Sequence, residues 1–92
     1  MVLRRLNSLS DTKTKRTPVE ILAEILEICR KQTAKTQIMY KTNISFSGMQ
    51  KSLKHLQKLG LLRLDDDAKK YLTTEKGFEF IRRYAALQDL LG

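Results

Sequence analysis

The stretch Lys35–Leu62, KTQIMYKTNISFSGMQKSLKHLQKLGLL, carries five lysines and not one acid. Exposed helix faces ordinarily mix both signs, because like charges one turn apart repel by a few tenths of a kcal/mol per pair. An acid-free face therefore favours a polyanionic partner. The same stretch divides into two helical periods. The first runs from about Lys35 to Lys41, with Ile38 and Met39 as its buried positions, and stops at Thr42-Asn43, where Asn tolerates a left-handed turn. The second begins near Ser45 or Ser47, the latter with Gln50 at the capping-box position, and ends at Gly60. Phe46, Met49, Leu53, Leu56 and Leu59 share its apolar face, whereas Gln50, Lys51, Lys54, His55 and Lys58 lie on or around the other. Two helices joined by a short turn, the second apolar behind and basic in front, make a helix-turn-helix pattern.

On the N-terminal side, TPVE at residues 17–20 marks a helix start. Thr17 is the N-cap, Pro18 takes the first helical position, and Glu20 stands where it can reach back to the cap amide. Ile21, Leu22, Ile25, Leu26, Ile28 and Cys29 then form a wide apolar stripe, and the glutamates face water. Cys29 on that stripe reads as a small core residue, with no basic neighbour in sequence to make it a nucleophile. Residues 1–16 are rich in Ser, Thr, Lys and Arg and read as a basic flexible arm, in which Leu3, Leu6 and Leu9 have the spacing of a helical turn.

On the C-terminal side, Leu61–Leu64 and Lys70–Thr73 are short strand-like runs around a polar loop, a candidate wing. Thr73 or Thr74 caps a last helix, EKGFEFIRRYAALQDLL. Its Phe80, Tyr84, Leu87 and Leu91 recur at coiled-coil spacing, and a second line, Phe78, Ile81 and Ala85, points elsewhere. A helix with two apolar sides needs two surfaces to cover them, so one is expected on its own domain and the other on a second copy of the chain; the alternative is a terminal helix packed wholly within its own chain, since two heptads are few.

Composition narrows the function. Ninety-two residues supply one modest core, too little for a second globule with a catalytic cleft. Net charge is +8, with the excess concentrated in the arm and in residues 30–60, where Arg30 and Lys31 join the five lysines without any acid. The single cysteine excludes an internal disulfide, and with one histidine there is no Cys/His metal cage, so a reducing cytosol is the expected setting. No apolar run reaches the length of a signal core or a membrane span. An enzyme is disfavoured by the lack of a glycine-rich phosphate loop, paired carboxylates in an apolar setting, or a nucleophile with a base. No cofactor is implied.

The blocks EILAEILEIC, KTQIMYKTNISF, LKHLQKLGLL and YLTTEKGFEFI resemble the small archaeal winged-helix DNA-binding proteins, a family of transcription regulators and chromatin-associated proteins. The resemblance covers roughly Pro18 to Ile81. It implies a dimer joined by C-terminal helices, with the helix after "NIS" presented to the DNA major groove. The expected fold class is thus α+β, mostly α: a winged helix-turn-helix domain over 17–74, with a C-terminal dimerisation helix over 75–92.

For double-stranded DNA, Ser47, Gln50, Lys51 and Lys54 are the candidates for base edges, since Lys donates to guanine and Gln bonds adenine both ways. Lys35, Lys41 and Lys58 are candidate phosphate contacts, and Thr36 and Gln37 can support a phosphate at the start of their helix. The simplest reading of these lysines is a solvated face; the missing acids argue against it. Asp65, Asp66 and Asp67 put acid at the wing tip, so the wing is expected to meet DNA only through Arg63, Lys69 and Lys70. The arm has the arginines to track a groove or to raise affinity by counterion release. His55 reads as a flank residue, Tyr40 as a packing residue whose hydroxyl reaches the surface, with a phosphate contact as the alternative, and Tyr71 as core. A homodimer through Phe80, Tyr84, Leu87 and Leu91, located in the cytoplasm at the nucleoid, is the expected assembly. The alternatives are a sequence-tolerant architectural DNA-binding protein and a winged-helix module for an acidic protein partner.

Overall fold

The computed structural model describes residues 16–92, so the expectations for the arm over 1–15 lie outside the described residues. Thr17 caps the first helix as its sequence requires. Its hydroxyl accepts from the Glu20 amide at 3.1 Å, and the Glu20 carboxylate accepts from the Thr17 amide at 2.8 Å. Helix α1 follows over Pro18–Ile28, then a two-residue strand β1 (Thr33–Ala34), α2 (Lys35–Thr42) and α3 (Phe46–Lys58). The hairpin β2 (Leu62–Asp65) and β3 (Lys70–Thr73) comes next, and α4 (Glu75–Leu91) ends the chain. The strands form an antiparallel sheet in the order β1-β3-β2, pairing Thr33 with Tyr71 and Asp65 with Lys70.

Strand β1 has no counterpart in the sequence reading. Two residues are too few to show a period, and only pairing with β3 makes them a strand. Their anchor is the Thr33 hydroxyl, which donates to the carbonyls of Ile28 and Lys31 at 3.1 and 2.7 Å.

One core joins every layer. Ile25, Leu26 and Cys29 of α1 meet Ile38 of α2, Met49, Leu53 and Leu56 of α3, and Leu61, Leu62, Tyr71 and Ile81. Each large apolar side chain taken fully from water contributes roughly 1.5–3 kcal/mol, so the three from α3 hold that helix firmly against the domain. Met39, expected among the buried positions of α2, is half-buried, and Thr42 takes the inner place with its hydroxyl donated to the Ile38 carbonyl at 2.8 Å.

Helix ends are closed by a chain of local and distant bonds. Asn43 adopts the left-handed conformation (φ 57°, ψ 39°) and its amide donates to the Met39 carbonyl at 2.9 Å, ending α2. Of the two candidate caps for α3, Ser45 is the one used: its hydroxyl accepts from the Gly48 amide at 3.0 Å. At the other end of α3 the Gly60 amide donates to Gln57 and the Leu61 amide to Leu56, with Gly60 at φ 79°. This paired pattern turns the chain inward, and Leu61 enters the core where Leu59 does not. Thr74 caps α4, because Thr73 is engaged elsewhere. The Thr73 hydroxyl donates to the Leu26 carbonyl at 2.7 Å and its amide to the Cys29 carbonyl at 2.9 Å, so β3 supplies partners to carbonyls at the C-terminal end of α1.

Candidate nucleic-acid interface

Burying Met49, Leu53 and Leu56 fixes which way the rest of α3 points. At about 100° per residue, Ser47, Lys51, Lys54 and Lys58 fall on the opposite side, and all four are exposed. Gln50 lies between the two sides and is half-buried. His55 is exposed beside Lys51 on the flank that faces Val19 and Leu22 of α1. Among the described residues the ion pairs are Arg16–Glu24, Arg30–Glu27, Arg82–Glu79 and Arg83–Glu79. None involves a lysine of α2 or α3, so the basic row is uncompensated among the described residues.

The α2 candidates divide. Thr36, Gln37 and Lys41 are exposed and Lys35 is half-buried. Lys35 is at the α3 side, its ammonium 5.9 Å from the centre of the Phe46 ring. Lys41 is at the other side, lining an open hollow at the helix-turn-helix turn with Arg16, Asn43 and Ser45. Gln37 turns back, its amide oxygen 3.5 Å from the Ala34 amide nitrogen. Ala34, at the N-cap, has no side-chain acceptor to offer the first turn of α2.

The wing is short, closing on residues 66–69 between the paired Asp65 and Lys70. Asp65 belongs to the turn's architecture more than to an acidic tip. Its carboxylate accepts from the amides of Asp67 and Ala68 at 3.1 and 3.3 Å and from the Gln32 side chain at 3.3 Å. Asp66 and Asp67 remain exposed, as do Arg63, Lys69 and Lys70, with Lys69 in the left-handed region at φ 58°.

Several expectations are corrected here. Phe46, assigned to the apolar face of α3, is 54% exposed, and Leu59 at the C-cap is exposed too. Phe46 is the first residue of the helix, one turn before Met49, which is fully buried; helical period alone cannot register where core contact starts. Tyr40 is 87% exposed and packs on nothing inside. It follows Ile38 by two residues, about 200° around α2, so burying Ile38 turns Tyr40 outward. Arg30, counted with the basic stretch, pairs with Glu27 at 2.8 Å and lies 5.4 Å from the Phe78 ring centre. Arg16, counted with the arm, bonds Glu24 of α1 and the Thr42 carbonyl that closes α2. No local pattern marks such a contact; it joins residues 26 positions apart.

In α4 the seam is shared rather than free. Phe80 is half-buried against the domain's own core, as is Phe78, and Tyr84 faces α1 beside Ala23 and Ile81. The Phe80 and Tyr84 rings stack at 6.2 Å. Leu87, Leu90 and Leu91 project from the end of the helix, with Leu90 84% exposed. No helix among the described residues is long and apolar enough to cross a membrane.

Three helices, a returning hairpin and an outward basic row on the third helix define a winged helix-turn-helix module, a fold typical of DNA-binding proteins. A family model described as winged helix-turn-helix matches residues 15–92, and the chain belongs to that family. No match is found among curated proteins.

Proposed function

We propose that this protein is a transcriptional regulator that binds double-stranded DNA as a homodimer, with α3 lying in the major groove. The observation that carries the reading is the division of α3: Met49, Leu53 and Leu56 are buried, and Ser47, Lys51, Lys54 and Lys58 are exposed, the lysines without carboxylate partners among the described residues. Ser47, Gln50, Lys51 and Lys54 meet base edges, and Lys58, Lys35, Lys41, Thr36 and Gln37 meet phosphates. Lys69 and Lys70 extend the phosphate contact from the wing. Family membership and a net charge of +8 support DNA as the partner. The exposed Leu87, Leu90 and Leu91 support pairing through the distal half of α4.

Selection of bound duplexes from a random pool tests the reading. An enriched inverted repeat is the expected result, since a two-fold dimer reads two half-sites. Retention without enrichment would make the protein a sequence-tolerant architectural one. With five lysines on phosphates in each chain, about ten in the dimer, the log–log slope of affinity against salt is about −9. Failure to retain duplex even at low salt would overturn the reading in favour of a protein partner.

A further inference from the structure

Phe46 is a large apolar side chain that the fold leaves more than half in water. It opens α3, and helical side chains lean toward the N-terminus, so the ring extends over the end of the helix that leads into the proposed groove. Residues four apart share a helix face, which places Phe46 at the head of the row continued by Gln50 and Lys54. The ring's surroundings are cationic. Lys35 holds its ammonium 5.9 Å from the ring centre, and residues 30–60 contain no acid. Whatever covers the ring must therefore present an apolar group inside a polyanionic frame. The major groove offers one such group, the C5 methyl of thymine.

We propose that Phe46 is a specificity-determining residue that reads thymine through its C5 methyl group, with Lys35 meeting the neighbouring phosphate. The proposal rests on the reading of α3 as the major-groove helix. Thymine and uracil differ at that position by the methyl alone, so the probes are an alternating A·T duplex and the same duplex with deoxyuridine replacing every thymidine. The wild-type dimer is expected to bind the thymine duplex about fifteenfold more tightly, the factor that corresponds to burying one methyl-sized group in each half-site. In Phe46→Ala the preference should fall to what the change of duplex shape alone gives, and Phe46→Leu, which keeps an apolar side chain, should retain part of the difference. The change that uracil makes to duplex shape is common to all three proteins, so the ratio in Phe46→Ala isolates the ring. A wild-type ratio of one, or an unchanged ratio in Phe46→Ala, would overturn the assignment while leaving DNA binding intact. Absence of binding to either duplex by the wild type would overturn the groove reading itself.

Discussion

Gly77 of α4 lies directly on the backbone of Leu61: a Cβ on Gly77 would overlap the Leu61 carbonyl oxygen and the methyl of Thr73. The same carbonyl accepts from the Thr74 amide at 3.0 Å, and the Thr74 hydroxyl donates to the Gly60 carbonyl at 2.7 Å. The start of α4 is thereby locked to the end of α3, which holds the basic helix and the terminal helix in one rigid arrangement. Glycine is needed there for proximity.

Gly77→Ala tests that lock. In an open helix the change would stabilise by up to about 1 kcal/mol through propensity. Against a backbone carbonyl that cannot move aside, overpacking costs about 1–3 kcal/mol and reverses the sign. Thermal unfolding followed by circular dichroism should show Tm several degrees lower. A higher Tm would show that α4 does not sit on Leu61.

Burial pushes the Cys29 thiol from its ordinary 9.0 up to about 12. The folded protein keeps the proton that the unfolded chain loses, so this contribution is full below about pH 9 and is lost as pH rises toward 12. Stability should fall with a slope of up to about 1.4 kcal/mol per pH unit in that window. Burial also holds the Tyr71 hydroxyl up, and the charge of Cys29 adds to that rise, so the difference between wild type and Cys29→Ala reports the thiol together with its coupling to Tyr71. Urea titrations across the alkaline range should give a flatter pH dependence for Cys29→Ala. Equal slopes would place Cys29 in water.

Replacing Lys51, Lys54 or Lys58 singly with Ala should weaken duplex binding. Lys58→Ala is expected to act uniformly across sequences and to reduce the salt slope by about 2, one contact being lost from each chain of the dimer. Lys51→Ala and Lys54→Ala should instead cost about 1–3 kcal/mol on the preferred site and relax the selected sequence at one position. Arg83→Ala, on α4 and paired with Glu79, is the control and should leave binding unchanged. Equal affinity of all four variants at moderate salt would remove α3 from the interface.

Charged substitutions at the tip of α4 address pairing. Leu87→Glu with Leu91→Glu should convert a two-chain species to one chain in sedimentation equilibrium, with the single-domain unfolding transition retained, because both leucines are already exposed within one chain. A two-chain species that survives the double change would place the contact elsewhere.

The parts of this protein determined by sequence alone are those set by neighbours within one turn. The Thr17 capping box, the Asn43 turn, the Gly60 stop and the division of α3 into a leucine side and a lysine side all follow from local bonding and a 3.6-residue period. The hairpin was legible too, one residue out of place at its start, since Leu61 closes α3 before the strand begins. Much of the proposed DNA surface was therefore readable, and its lysines are where the period puts them. What tertiary structure decided are contacts between residues far apart in the chain. Strand β1 exists only because β3 pairs with it, and Asp65 is drawn into the wing turn partly by Gln32. Arg16 leaves the arm to join Glu24 and Thr42, and Gly77 is small because Leu61 is there. Phe46 and Tyr40 are the sharpest cases. Whether an aromatic side chain is core or surface depends on where the partner layer ends, and that edge is a property of the assembled helices.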